Sequence, residues 1–249
     1  MIRKTLAGAA LALSFAAPAM ATDIVEMSEA ERTAFRQEVR AYLLENPEVL
    51  MEAIAVLEQR QEQAAAAQDQ QLVKTNAKDI FEDGYSWVGG NPEGDITLVE
   101  FSDYRCTYCR KAHPEVEELL KTDGNIRFIV KEFPILGEQS ELSSRFAIAT
   151  KLAAGDEAYK KAHDALITMR GNATVQSLEK LAGRLDLDPE AILPLMNSPE
   201  VEDIIQKNRA LAQRLGITGT PTFVLEDSML RGYVPLDGMR QLVKQARAD

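Results

Sequence analysis

Cysteine is scarce in this chain of 249 residues, which contains only two. A small secreted scaffold held together by disulfides uses more cysteines and spreads them along the chain, so that class of protein is excluded. Cys106 and Cys109 lie three positions apart. A disulfide between them closes a very short loop and restricts the unfolded chain little, so structural stapling is a poor explanation. The spacing indicates a chemical role instead.

Long apolar runs are also missing: no stretch approaches the roughly 20 residues of a membrane-spanning helix. The main apolar run, from Leu6 to Ala17, follows the basic pair Arg3 and Lys4 and leads to small residues ending at Ala21. This order is typical of a secretory signal peptide. We expect residues 1–21 to be removed after Ala21 and the mature chain to be secreted; an uncleaved membrane anchor is the alternative.

Basic residues are in deficit. Lys and Arg total 28 against 39 Asp and Glu, which gives a formal net charge of −11. Nucleic acids and anionic membrane surfaces are bound by clustered Lys and Arg. The balance therefore argues against a nucleic-acid partner and otherwise indicates only solubility.

Residues 22–78 contain no glycine and one proline, Pro47, which favours a helical arm. Asn46-Pro47-Glu48 is typical of a helix start and predicts that a second helix begins there. Apolar side chains recur on one helix face on both sides of Pro47, at Phe35, Val39, Tyr42, Leu43, Val49, Leu50, Ile54 and Leu57.

This arm has two interpretations. In the first, the arm is a solvated linker. Beyond Leu57 the alternating spacing of four and three residues continues, but its positions hold alanine and glutamine. A coiled coil needs apolar residues at these positions over three or four heptads. In the other, residues 28–75 form an oligomerisation stalk, because an apolar face of this length must be buried against something.

From about residue 79 the pattern changes to that of an α/β domain. A glycine-rich loop over 84–94 precedes a strand–helix–strand unit, which is expected to be parallel and right-handed. Its elements are Ile96–Phe101, Arg110–Lys121 and Ile126–Lys131. Four or five helices follow over residues 138–215 as an insert. The chain ends with a strand, its hairpin partner and a helix at Thr222–Leu225, Met229–Gly232 and Leu236–Arg247.

Cys106-Thr107-Tyr108-Cys109 follows the first of these strands and opens the helix after it. A Cys-x-x-Cys beside a βαβ unit is typical of a thioredoxin-type redox site. At the helix N-terminus, free N–H groups and the helix dipole favour the thiolate of Cys106. We predict that Cys106 is the exposed nucleophile and that Cys109, one turn inside, resolves the mixed disulfide.

Metal binding is the competing interpretation of the cysteine pair. Cys106, Cys109 and His113 are spaced so that all three could meet one ion. A structural zinc site needs four ligands, however, and the other histidine, His163, is distant in sequence. His113 is more simply a solvated residue near the active site. We expect no resident metal and no cofactor, with transient Cu(I) binding by thiolates as a side possibility.

Thr220-Pro221 immediately precedes a predicted strand. Proline is tolerated at the start of a strand, and an X–Pro bond in a tight turn is a candidate for the cis form. Only about one X–Pro bond in twenty is cis, so an ordinary trans turn is the alternative.

Three blocks, GNPEGDITLVEFSDYRCTYCRKAHP, KEFPILG and GITGTPTF, together resemble the DsbA-like branch of the thioredoxin superfamily over about residues 85–249. The resemblance implies a thioredoxin-like fold with a helical insertion. It also implies a cis Thr220–Pro221 bond packed against Cys106, where these residues with Thr107 and Tyr108 contact the substrate.

The same resemblance implies that Glu100 is a buried acid near the inner cysteine, with Lys131 beside it. A shielded acid with a raised pKa can accept the proton that Cys109 must lose. The alternative is an exposed residue at a sheet edge. The apolar sequence ITLVEF around Glu100 favours burial.

The N-terminal arm resembles that of the protein-C type in the suppressor of copper sensitivity group, whose relatives include disulfide isomerases. Together with Thr220, it favours a periplasmic isomerase or reductase; a DsbA-like dithiol oxidase is the alternative, and a copper-binding protein is a more distant one. The partners implied are unfolded or misdisulfided secreted proteins, a membrane redox protein and further copies of this chain.

Overall fold

The protein is described here by a computed structural model that covers residues 27–248. The predicted signal peptide, residues 1–21, lies outside the described residues. The chain divides into two compact units at Arg60 and Gln61. The unit that contains the sheet therefore begins before residue 79, the expected start of the catalytic domain. None of the described helices is long and apolar enough to cross a membrane.

The N-terminal unit is helical. Helix α1 spans Glu29–Glu45, and helix α2, which spans Glu48–Thr75, begins in this unit. Ser28 caps α1 through a reciprocal pair of hydrogen bonds with Glu31, which satisfies N–H groups at the helix start. The predicted break near Pro47 is confirmed. The Asn46 side chain, however, donates to the Tyr42 carbonyl oxygen (2.9 Å) and so caps the end of α1 rather than the start of α2.

The apolar face of this unit is exposed. No residue of α1 is buried. Phe35 is 48% exposed, Tyr42 54% and Ile54 47%. The other large apolar side chains exposed in this unit are Val39, Leu44, Leu50, Met51, Val56 and Leu57. Nothing in the described part of the unit covers this face.

The C-terminal unit is built on a mixed sheet. Its strands are β1 (Trp87–Gly90), β2 (Ile96–Ser102), β3 (Ile126–Glu132), β4 (Thr222–Leu225) and β5 (Ser228–Arg231), in the order β1-β3-β2-β4-β5. Strands β2 and β3 are parallel and are joined by α4 (Thr107–Asp123), and the other neighbouring pairs are antiparallel. The predicted βαβ unit and the predicted C-terminal hairpin are both confirmed.

The remaining helices are α3 (Ala77–Phe81), α5 (Glu138–Ile167), α6 (Val175–Arg184), α7 (Pro189–Ile192), α8 (Pro199–Arg214) and α9 (Leu236–Ala246), with a 3-10 turn at Pro194–Asn197. Four helices over residues 138–215 confirm the predicted insert. Helix α5 is kinked at Gly155, where φ is +83°. Such a φ is easy for glycine, which explains why the helix breaks there.

Two apolar clusters cover the two faces of the sheet. One joins Leu98, Val130 and Phe223 to buried residues of α4, α5 and α9. The other joins Phe101 and Ile129 to residues of α3, α8 and the end of α2. Successive strand residues alternate between the two clusters because their side chains alternate between the faces of a sheet. This alternation decides which strand residues can reach the active site.

Strand β1 was not expected, because the sequence there is rich in glycine and predicts a loop. Gly89 and Gly90 pair with Phe128 and Arg127 of β3. A Cβ atom at Gly90 would lie 2.3 Å from the Ile126 carbonyl oxygen, and one at Gly89 would meet the Trp87 ring. The glycines thus allow the close approach of this edge strand rather than preventing strand pairing.

Candidate active site

Cys106 is the N-cap of α4. Its backbone is extended (φ −72°, ψ 121°), and its sulfur accepts a hydrogen bond from the Cys109 backbone N–H at 3.4 Å. The strand–turn–helix order predicted from the sequence therefore places the first sulfur at the positive end of the helix dipole. Cys109 lies on the first turn of α4, facing the core.

The two thiols differ strongly in acidity. The Cys109 thiol, together with backbone N–H groups of Tyr108 and Cys109, hydrogen-bonds to the Cys106 sulfur and lowers the pKa of Cys106 to about 5, although burial opposes this. The same contact, burial and the negative charge of Glu100 raise the pKa of Cys109. Cys106 is thus the thiolate at neutral pH. Cys106 is only 7% exposed, whereas the sequence predicted an exposed nucleophile. Cys109 is fully buried.

The Thr220–Pro221 peptide bond is cis. The Cys106 sulfur lies 3.1 Å from the Thr220 carbonyl oxygen, to which the protonated thiol donates. The Pro221 carbonyl oxygen accepts from the Gly232 N–H at 2.9 Å, which ties the loop to the end of β5. The structure thus brings together two sequence blocks that are more than a hundred positions apart.

Glu100 is buried on β2. Burial raises its pKa to about 7, and the charges of Cys106 and Glu132 act in the same direction, whereas a hydrogen bond with Ser102 opposes them. A carboxyl with this pKa exchanges its proton near neutral pH, as a proton acceptor for Cys109 must.

Lys131 does not lie beside Glu100, contrary to expectation. In the parallel register Glu100 is opposite Val130, whereas Lys131 is opposite Phe101, so the two charged side chains point to opposite faces of the sheet. The buried Lys131 ammonium donates to the Asp79 carbonyl oxygen at 2.8 Å and forms an ion pair with Asp83.

His113 is partly shielded rather than fully solvated. Its Nε2 is 3.4 Å from Asp164 Oδ1, and its ring centroid is 5.4 Å from that of His163. His163 is therefore distant in sequence but adjacent in space. Among the residues that the structure describes, His113 joins His163 and Asp164, rather than the two cysteines, as a group of potential metal ligands.

Thr107 and Tyr108 are exposed beside the sulfur of Cys106. The Tyr108 ring stacks on Tyr233, with centroids 6.2 Å apart. Ile135 and Leu136 are also exposed, and their N–H groups bond to Asp103, three residues before Cys106. Exposed apolar side chains are therefore present both within the Cys-x-x-Cys motif and in the segment that Asp103 binds.

Sequence reasoning missed a set of buried polar residues around the site. Asp103 accepts hydrogen bonds from the Arg105, Ile135 and Leu136 N–H groups and from the Ser140 hydroxyl, at 2.7–3.1 Å. The sequence does contain a signal for such residues, since charged side chains occur inside the apolar blocks VEFSDY and VKEF. Charged side chains in buried strands need polar partners, so these blocks predict buried hydrogen bonds.

Glu132 is a second buried acid near the site. Burial raises its pKa to about 7, and hydrogen bonds with Tyr159 and Tyr104 oppose this. The hydroxyl of Tyr104 donates to Glu132 Oε1 at 2.7 Å, and that of Tyr159 does so at 2.5 Å. The Tyr104 hydroxyl also lies 2.9 Å from Nδ1 of His163.

A family model for the DSBA-like thioredoxin domain matches residues 97–244. The chain belongs to this family. Its members are generally thiol–disulfide oxidoreductases. A second model, for the N-terminal domain of the copper resistance protein ScsC, matches residues 31–64. The resemblances and the fold class inferred from the sequence are thereby confirmed.

Solved structures support the same assignment. A thioredoxin-like oxidoreductase from Silicibacter pomeroyi is 41% identical, covers 69% of this chain and 98% of its own, and has a TM-score of 0.65. BcfH from Salmonella enterica Typhimurium is 29% identical, with 88% and 96% covered and a TM-score of 0.72. Proteus mirabilis ScsC is 26% identical, with 89% and 99% covered and a TM-score of 0.65.

Curated relatives include much longer proteins. The Na(+)/H(+) antiporter NhaA 1 of Salinispora arenicola is 30% identical over 162 residues, which are 65% of this chain but 24% of the antiporter. This chain thus spans about a quarter of that relative's length. Disulfide bond formation protein D of Bacillus subtilis is 20% identical over 168 residues, which are 64% of this chain and 75% of that protein.

Proposed function

We propose that this chain is a periplasmic thiol–disulfide oxidoreductase that exchanges disulfides with secreted proteins. The observation that carries the proposal is the opposite acidity of the two thiols. Cys106 has a pKa of about 5 and lies against the Thr220 carbonyl, while Cys109 is buried, with its pKa raised in part by Glu100. This division of roles is what a nucleophile and a resolving thiol require.

In the reductive direction, the Cys106 thiolate attacks a substrate disulfide and releases one substrate thiolate, forming a mixed disulfide. Cys109 then transfers its proton to Glu100 and attacks the Cys106 sulfur. The second substrate thiolate leaves, so the substrate gains two electrons and the Cys106–Cys109 pair becomes a disulfide. The same steps in reverse oxidise a substrate dithiol. In isomerisation, a substrate thiolate displaces Cys106 instead, and no net oxidation occurs.

The exposed apolar side chains of Tyr108, Ile135 and Leu136 support an unfolded or misdisulfided chain as the substrate, because such chains expose apolar side chains themselves. Thr107 and the Thr220–Pro221 loop complete the proposed contact surface around Cys106. In this arrangement the substrate backbone lies beside the Cys106 sulfur, which is the nucleophile of the first step.

The arm favours isomerisation or reduction over oxidation. Its apolar face is exposed within the unit, and residues 31–64 match the ScsC N-terminal domain. A homo-oligomer through residues 28–75 holds several dithiols near one client, which raises the effective concentration for repeated exchange. This mode requires a membrane redox partner that keeps the pair reduced.

A dithiol oxidase is the second candidate, and the low pKa of Cys106 favours it. A stabilised thiolate stabilises the reduced form of the pair and therefore makes its disulfide more oxidising. The reduction potential of the pair decides between the two candidates.

The test combines assays of disulfide exchange and of substrate refolding with a measurement of the reduction potential, all on the mature chain. A Cys106→Ser variant is expected to lose disulfide exchange entirely, and full activity in that variant would contradict the proposal. Cys109→Ser is the matched variant: it retains the nucleophile and is expected to accumulate mixed disulfides. Isomerisation is supported if the wild type refolds a scrambled-disulfide substrate and has a reduction potential near that of known isomerases. The oxidase is supported if the reduction potential is more oxidising and the scrambled substrate is not refolded.

A further inference from the structure

Three potential metal ligands meet where α4 contacts α5. His113 on α4 and the adjacent His163 and Asp164 on α5 each offer one ligand atom, and these atoms lie within 4.8 Å of one another. A tetrahedral zinc ion with bonds of about 2.1 Å needs ligand atoms about 3.4 Å apart. The distance between His113 Nε2 and Asp164 Oδ1 is already 3.4 Å. Separations of up to 4.8 Å must therefore close by up to about 1.4 Å, which rotation of the His113 and Asp164 side chains can supply.

The buried hydrogen-bond chain behind His163 fixes its orientation. Tyr104 donates its proton to Glu132 Oε1, so its hydroxyl oxygen is left to accept from His163 Nδ1. His163 then carries its lone pair on Nε2. Most histidines that bind metals have their second ring nitrogen held by an oxygen in this way.

The surroundings leave the cluster accessible but place a competing cation beside it. The Asp164 side chain is 41% exposed, and a surface depression there is lined by His113, Glu117 and Asp164, among others. Lys160 forms ion pairs with both Asp164 and Glu117, at 2.6 and 3.3 Å. The ammonium group of Lys160 therefore competes with any cation for Asp164.

We propose that His113, His163 and Asp164 form a binding site for one divalent cation of the zinc class, with a remaining coordination position open to solvent. Two imidazoles and a carboxylate suit zinc and similar transition metals, whereas magnesium and calcium prefer oxygen ligands alone. Neither cysteine belongs to the site, so the proposal does not depend on redox activity.

The direct test is calorimetric titration of the mature protein with Zn²⁺, without an affinity tag and with the cysteine pair oxidised. Oxidation removes both thiols, the only two in the chain, as competing ligands. One zinc ion is expected per chain. Mg²⁺ is the matched control and is expected not to bind. Equal binding of Mg²⁺ would identify a merely acidic surface and would overturn the proposal.

Variants at the more accessible ligands locate the site. His113→Gln and Asp164→Asn are each expected to weaken zinc binding at least tenfold. Lys160→Met is expected to tighten it, because the substitution frees Asp164. The matched control is Lys207→Met, which breaks an ion pair of the same spacing with Asp203, and it is expected to change nothing. Unchanged zinc binding in both ligand variants would refute the site.

His163 is buried, so its replacement tests folding as well as binding. A spectroscopic measurement on the unaltered protein avoids this difficulty. The chain contains two histidines, and both belong to the proposed site. Nitrogen-15 spectra of the imidazoles are expected to show both rings shifting in parallel until one equivalent of zinc is added. A shift of one ring alone, or of neither, would contradict the proposal.

Discussion

Cys106 owes its acidity chiefly to one neighbour, the thiol of Cys109. Replacing Cys109 by alanine removes that hydrogen-bond donor but leaves the backbone N–H groups of α4 in place. The pKa of Cys106 is therefore expected to rise above about 5 in Cys109→Ala.

Ultraviolet absorbance of the thiolate as a function of pH measures this shift directly. Tyr108→Phe is the control, because Tyr108 contributes to Cys106 through its backbone rather than its hydroxyl. An unchanged titration in Cys109→Ala would mean that the helix N-terminus alone sets the acidity.

Glu100 couples stability to pH. Its pKa is raised from an ordinary 4.5 to about 7, so the folded state binds more protons than the unfolded state between these values. Stability is therefore lost as the pH rises from about 4.5 to about 7, by up to about 3 kcal/mol. Glu100→Gln is expected to remove this loss, so the variant is more stable than the wild type at about pH 8.

Denaturant unfolding of the oxidised protein at about pH 5 and pH 8 checks the prediction. The same variant is expected to resolve mixed disulfides more slowly, since the amide cannot accept the Cys109 proton. A variant that is destabilised equally at both pH values would contradict the buried-acid interpretation.

At the scale of elements, Asp103 joins the end of β2 to the loop before α5. It accepts four hydrogen bonds, three of them from backbone N–H groups and one from Ser140. Asparagine retains one acceptor oxygen and loses the charge, so Asp103→Asn is expected to cost about 2–3 kcal/mol of unfolding free energy.

Asp237→Asn is the matched control for this measurement, because the Asp237 side chain is 91% exposed. Its unfolding free energy is expected to change by less than about 0.5 kcal/mol. Equal small effects in both variants would show that the loop does not depend on Asp103.

The elements that the sequence predicted well are those with a strong local signal. Strands β2 and β3, helix α4 and the Cys106–Cys109 motif all follow from apolar runs and from residues close together in the chain. The misplaced features depend on information that is not local. Lys131 required the alternation of side chains across two paired strands, and His163 required the contact between α4 and α5. Strand β1 was missed because its glycines, which usually break strands, are needed for close packing.

At the scale of the whole molecule, we expect the exposed face of the arm to decide the assembly state. Phe35→Asp combined with Ile54→Asp places two charges on this face, which is expected to prevent self-association. Light scattering of the mature chain is expected to show an oligomer for the wild type and a monomer for the double variant. Simple dithiol exchange is expected to persist in the variant, while refolding of scrambled substrates falls.

Gln59→Glu is the control for charge in the same helix, because Gln59 lies outside the apolar face. It is expected to leave both mass and refolding unchanged. A wild type that is already monomeric would refute the stalk and would favour the solvated linker.

Apolar clusters close the core of the C-terminal unit on both faces of its sheet, and the two thiol groups of the chain lie together at one helix end. A catalyst of sulfur exchange is constantly exposed to reactive thiols and disulfides. The chain contains no other cysteine, so no second thiol or disulfide is available for exchange and no wrong pairing can form within the chain. The fold can therefore persist in both the oxidised and the reduced state of the pair. The redox potential of the surroundings changes only the Cys106–Cys109 pair.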